Sequence, residues 1–145
     1  MNKNIYKKFE KLYQRDGFLH IKKFFKKNEI LNLLDKIKGE NKDLIKKKIK
    51  VINPHLKIKE IRQLYKDKKL VDIAKHLLIA EKINGLQSEF FINHPKKSKG
   101  HPPHQDDYFL KTGRNNSINI WIPLVNVEKK NGALVFFKKS SNGKI

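Results

Sequence analysis

Apolar residues recur at helical spacing through the first half of the chain. Ile5, Phe9, Leu12 and Tyr13 form one stripe, and Gly17 is placed to stop the helix that carries it. Phe18-Leu19-His20-Ile21 is a short apolar run of the kind that forms a strand. Asn28 stands where a cap would open a second helix, whose stripe Ile30, Leu31, Leu34 and Ile37 ends before Gly39. The lysine-rich residues 46–50 belong on the surface, and Asn53-Pro54 predicts a turn. Leu70, Ile73, Ala74 and Leu77 predict another amphipathic helix, with Gly85 near its exit.

The pattern then changes period. Residues 86–92 read as a strand and residues 93–100, with Pro95, as a polar loop. Tyr108-Phe109-Leu110 follows a short polar segment, and residues 112–116 read as a turn. Ile118, Ile120, Ile122 and Leu124 alternate with Asn119, Trp121 and Pro123, the period of two expected of a strand. Asn131-Gly132 is a tight-turn signal leading into the apolar run 133–137. Helices first and turn-linked strands afterwards predict an α+β fold in one domain, 1–145, mainly helical over 1–85 and strand-rich over 86–145.

Composition narrows the classes. The chain has 145 residues, enough for a real core, and no cysteine, which excludes disulfide scaffolds, thiolate metal sites and cysteine nucleophiles. No apolar run approaches the ~18–20 residues of a membrane span, and the lysine-studded N-terminus lacks a signal-peptide core, so the expectation is a cytoplasmic protein with no membrane partner. The formal net charge is +20, which raises a nucleic-acid partner. Only Arg15, Arg62 and Arg114 are arginines, and the lysines run along the whole chain. That favours a solvated lysine coat over a nucleic-acid surface.

The chemistry concentrates in His101-Pro102-Pro103-His104-Gln105-Asp106-Asp107. In extended backbone His104 and Asp106 project from one face, with Gln105 opposite. An imidazole and a carboxylate so placed can take adjacent positions on a metal, and a second histidine would complete the 2-His-1-carboxylate triad of non-haem Fe(II) oxygenases. Taken alone, the spacing favours a surface loop whose His and Asp merely hydrogen-bond.

The surroundings add to it. Gln87-Ser88-Glu89-Phe90-Phe91, Pro95, Pro103-His104-Gln105-Asp106, Trp121-Ile122-Pro123-Leu124 and Asn131-Gly132-Ala133-Leu134 form an ordered series. It resembles the phytanoyl-CoA dioxygenase family, most specifically from Gln87 to Phe137, and Gly17-Phe18-Leu19 with a helix following looks like that family's entry. The resemblance implies N-terminal helices packed on a double-stranded β-helix, the jelly-roll or cupin-like core, of which 86–145 would be the first portion. It also implies Fe(II) as cofactor and 2-oxoglutarate as co-substrate, with oxidative decarboxylation to succinate and CO2 driving hydroxylation of a small molecule such as an acyl-CoA or other metabolite. Matched by position, His104 and Asp106 would be the first two iron ligands. Trp121 would line the 2-oxoglutarate site, and Gln105 would touch co-substrate. Glu89 stands where relatives can have an apolar co-substrate contact. Trp121 is expected to be buried, whether it lines the barrel or packs in a core.

The match then weakens. The family's third ligand is a downstream histidine, and no histidine follows His104. Phe137-Lys138-Lys139-Ser140-Ser141 stands where relatives have a Pro-Gly-Ser-His turn. The expectation is therefore a truncated oxygenase, with an incomplete roll whose open edges around 133–137 promote self-association. His101 is the nearest substitute ligand, but the Pro102-Pro103 geometry separates it from His104 by roughly 9 Å along the axis. His20, His55, His76 and His94 read as surface or structural. Three functions compete: a dioxygenase, a non-catalytic remnant or interaction module of the same fold, and, less favoured, a basic nucleic-acid binder.

Overall fold

The computed structural model describes residues 3–42, 50–93, 100–113 and 116–140. Helix α1, Lys3–Asp16, ends where the stripe predicts: Gly17 adopts φ +81° and its N–H donates to the Tyr13 carbonyl at 2.8 Å. The next run, Phe18 to Ile21, forms no strand but a connector into helix α2, Lys27–Glu40. Asn28 is not its cap. Lys26 holds that position, and the Glu29 carboxylate reaches back to accept from the Lys26 N–H at 2.7 Å, leaving Asn28 inside the first turn. Gly39 lies within α2 rather than beyond it, and Asn41 closes the helix on the Ile37 carbonyl.

Strand β1, Lys50–Ile52, is masked in the sequence by the lysine run, of which residues 46–49 lie outside the described residues. It pairs antiparallel with β2, Glu89–Phe91, in the register Lys50 to Phe91, Val51 to Phe90 and Ile52 to Glu89. Lys50 Nζ sits 2.7 Å from Glu89 Oε1, so the carboxylate that replaces an apolar residue in the resemblance has a cationic partner on the adjacent strand. The Asn53-Pro54 turn forms as a single 3-10 turn, Pro54–Leu56, with Asn53 at φ +50°.

Helix α3, Lys59–Tyr65, has no counterpart in the apolar pattern, whereas α4, Lys68–Leu77, falls where its stripe predicts. The α4 cap is Asp67, whose Oδ1 accepts from the Lys69 and Leu70 N–H groups at 2.9 and 3.2 Å. The core sits between α2 and α3: Ile37, fully buried, packs with Ile58 and Ile61, and Leu33, Phe90 and Leu124 close around them. Ile73 and Ala74 bury a second patch on α4, and Tyr6 and Glu10 of α1 meet His76 there, at 5.0 Å between ring centroids and 3.3 Å between Nε2 and Oε2.

Beyond β2 the described residues contain a one-turn helix α5, Asp107–Leu110, and a 3-10 turn, Lys129–Asn131. The fold is thus α+β, as expected, with a sheet of two strands among the described residues. The alternating segment 118–124 and the apolar run 133–137 are not in strand ladders there. Period-two patterning specifies a face, but a strand also needs a neighbour to accept and donate its backbone hydrogen bonds. Among the described residues no such neighbour is paired with these segments. The Asn131-Gly132 turn does form. Gly132 takes φ +102°, and the Asn131 side chain bridges the Glu128 N–H and the Asn126 carbonyl. None of the described helices is long and apolar enough to cross a membrane.

Candidate metal centre

His104 and Asp106 converge. The His104 Nε2 lies 3.3 Å from Asp106 Oδ1, with 42% and 51% of the two side chains exposed. They do not meet by strand parity, however. Asp106 is at φ −63° and ψ −29°, helical rather than extended, because its carbonyl already accepts from the Phe109 and Leu110 N–H groups, each at 3.0 Å, to open α5. The turn brings the carboxylate back over the imidazole.

Hydrogen bonds fix both side chains. His104 Nδ1 lies 2.8 Å from the Pro102 carbonyl, so Nδ1 carries a proton, and in the neutral imidazole Nε2 keeps the lone pair. Histidine ligands of metals are commonly held in this way, by a backbone carbonyl on the other ring nitrogen. A lone pair facing a carboxylate oxygen calls for a positive charge between them, either a proton or a metal ion. Two donors at ~2.1 Å from one octahedral metal and at right angles to it stand about 3.0 Å apart, close to the spacing seen here. The donor set suits Fe(II): one imidazole, one carboxylate and no thiolate. Phe109 packs edge-on against the His104 ring at 5.9 Å between centroids.

The pair is not a complete centre. No group of three His, Cys, Asp or Glu side chains among the described residues could hold a metal. The His101 ring centroid is 6.4 Å from that of His104, so the nearest candidate does not join. His55 is engaged elsewhere, 2.6 Å from Ser88 Oγ and stacked on Tyr65, while His76 faces Glu10; His94 lies outside the described residues. A groove of about 460 Å³ between α1 and α4 is lined by Glu10, Asp72, His76 and Ile79 and shares no residue with the His104 segment.

The other expected site residues divide. Gln105 is half-buried and donates from Nε2 to the Ser140 carbonyl at 2.8 Å, which ties the motif to the chain that follows Phe137. Trp121 is 44% exposed, against the expectation of burial on either reading; among the described residues segment 118–124 is paired with no strand, so it builds no sheet whose face a second layer could cover. Two groups near the pair escape a reading of the sequence alone. One is the Pro102 carbonyl. The other is Asn119, whose Nδ2 donates to Asp106 Oδ2. Its signal was available: Asn119 shares strand parity with Trp121, opposite the Ile118, Ile120, Ile122 and Leu124 face.

The neighbouring Asp107 has a different task. Its Oδ1 accepts from the Thr112 N–H at 2.8 Å and the Thr112 hydroxyl at 2.6 Å. The Thr112 hydroxyl bond and the Thr112 and Gly113 backbone hold its carboxyl below the usual range against some desolvation. Of two consecutive aspartates, one is spent on a loop and one is turned to the histidine.

Comparison with known proteins gives the family. A probable alpha-ketoglutarate-dependent hypophosphite dioxygenase from Stutzerimonas stutzeri is 27% identical over 157 aligned residues, which take in 92% of this chain and 52% of that protein. The chain thus spans about half the length of the curated relative it matches. No solved structure matches. The model of the phytanoyl-CoA dioxygenase family (PhyH) matches residues 13–144, nearly the whole chain, and the chain belongs to that family.

Proposed function

We propose that this chain carries the first two iron ligands, His104 and Asp106, of an Fe(II)/2-oxoglutarate-dependent dioxygenase acting as a hydroxylase. The observation that carries the reading is the 3.3 Å approach of His104 Nε2 to Asp106 Oδ1, with the histidine tautomer set by Pro102. Family membership and the alpha-ketoglutarate-dependent relative support it. Bound iron and 2-oxoglutarate would supply the oxidising chemistry. The chain's own role is to present one nitrogen and one carboxylate oxygen on the same side, with Gln105 and Trp121 beside the co-substrate. The substrate is a small molecule, of which an acyl-CoA is one candidate. Residues 86–145 would contribute the first portion of a jelly roll, set against the mainly helical residues 1–85, in a cytoplasmic protein.

Metal titration of the chain tests this. Co(II), a spectroscopic stand-in for Fe(II), should give visible absorption bands that His104→Ala and Asp106→Ala abolish. Trp121 is the single tryptophan, so its fluorescence should then respond to 2-oxoglutarate only in the metal-loaded protein. Equal weak metal binding by the parent chain and His104→Ala would overturn the assignment. A second reading, a non-catalytic module of the same fold, is favoured by one observation: no third ligand stands near the pair among the described residues. It predicts that equal binding.

A further inference from the structure

We infer that Asn119 is the positioning residue that turns the Asp106 carboxylate toward the metal; this rests on the His104–Asp106 reading above. A carboxylate can meet a metal through one oxygen or both, and a free aspartate samples either. Here the two oxygens are divided. Oδ2 accepts from Asn119 Nδ2, and Oδ1 faces His104 Nε2 at 3.3 Å. With Oδ2 held by the amide, Oδ1 is the oxygen turned to the histidine, which favours one-oxygen ligation there.

Asn119 is itself delivered by a closed circuit of bonds. Asp107 holds Thr112 through the backbone and the hydroxyl, at 2.8 and 2.6 Å, and the Thr112 hydroxyl, its one proton given to Asp107, accepts from the Ser117 hydroxyl at 2.8 Å. Lys111 at φ +52° and Gly113 at φ +88° put left-handed bends on either side of Thr112, and the Asn116 N–H donates to the Gly113 carbonyl at 3.1 Å. Ser117 lies two residues before Asn119, so the loop that leaves Asp107 returns with the amide over Asp106. The choice of side chain follows from charge. An amide orients the carboxylate without neutralising it, whereas a lysine at 119 would satisfy the charge that a metal must satisfy. Hydrogen bonds of this kind to ligating carboxylates set metal affinity, and their loss typically costs about 10–100-fold.

The test compares the full chain with Asn119→Leu, which keeps the branched shape and loses the donor, and with Asn119→Ser, which keeps a donor. In the metal-free proteins the Asp106 side-chain carboxyl carbon is followed by NMR; with Co(II), affinity and visible spectrum are recorded. Positioning by Asn119 predicts a displaced Asp106 carboxyl resonance in Asn119→Leu and Co(II) binding weakened about 10–100-fold with altered bands. It also predicts partial recovery in Asn119→Ser, which serves as the comparison should Asn119→Leu fail to fold. An unmoved resonance, or tight Co(II) binding with unchanged bands in Asn119→Leu, overturns the inference while leaving His104 and Asp106 as ligands. Absence of Co(II) binding in the parent chain overturns the underlying reading, and with it any metal for Asn119 to serve.

Discussion

The residues before and after β2 are stabilised by different means. Every buried side chain among the described residues lies between positions 34 and 74, on α2, β1, α3, α4 and the turns between them. From Leu86 onward none is buried, and Leu86, Tyr108, Phe109, Val135, Phe136 and Phe137 are all more than half exposed. What shapes the later region is side-chain hydrogen bonding at turns: Asp107 with Thr112, Asn131 with the Asn126 carbonyl, Asn93 with the Asn131 carbonyl, and Gln105 with Ser140. Hydrophobic burial thus anchors the first region, and polar turn chemistry sets the geometry of the second. The candidate ligands belong to the second, whose packing on the core is limited to partly buried side chains such as Leu124, so their placement leans on bonds each worth about 0.5–1.5 kcal/mol.

The largest effect that would break this contrast is a core truncation. Ile37→Ala removes a fully buried side chain from the α2–α3 cluster and should cost about 2–5 kcal/mol, read from denaturant unfolding of the whole chain. Val135→Ala, at a position 73% exposed, should change stability by less than about 0.5 kcal/mol in the same measurement. A comparable loss at Val135 would mean that the later region has a core of its own.

A smaller effect probes the join between the regions. A Cβ on Gly85 would lie 1.9 Å from Tyr65 Oη and 2.4 Å from Cζ, and that ring is stacked on His55, which in turn meets Ser88 beside β2. Gly85→Ala must therefore displace the ring, at a cost of about 1–3 kcal/mol, and should move the His55 ring resonances. Gly39→Ala is the matched control. Nothing lies within 4 Å of its Cβ and it sits within α2, so it should gain about 0.5–1 kcal/mol. If Gly85→Ala instead left the His55 signals unmoved, the two regions would be less tightly joined than the stacking implies.

The same contrast explains what can be read from sequence. The helices α1, α2 and α4 are legible because each carries a stripe that must be buried, and stripe and helix share one period. Helix α3 is not: Ile58 and Ile61 are its buried anchors, yet Lys57, Lys59, Glu60 and Arg62 break any apolar stripe around them. Strand β1 vanishes into a run of lysines because only Val51 of its three residues faces inward. In the later region the motif residues are identifiable, and His104 and Asp106 do meet, but not by the expected geometry. Parity in an extended segment predicts that they come together, and a helical turn at Asp106 brings them together instead. That turn is closed by the Phe109 and Leu110 N–H groups, and the carboxylate it presents meets Asn119; no spacing rule within residues 104–106 can contain either.

The smallest effect concerns pH and isolates the polar half of the contrast. The Asp107 carboxyl is held below its ordinary value, chiefly by the Thr112 hydroxyl, so the folded loop binds its proton less readily than the unfolded chain does. The sign follows by linkage: the loop's contribution is present in full above the unfolded aspartate value of about 3.9 and is lost as pH falls through the lower folded value. The Thr112 amide resonance should therefore stay fixed between pH 7 and about 5 and move only below about 4, with the Asn119 side-chain amide following it through Ser117. Asp107→Asn should put both resonances near their acid positions already at neutral pH, while leaving the Ile37 cluster untouched. Movement of the Thr112 amide near pH 6 would point to control by a histidine instead, and would detach the loop from Asp107.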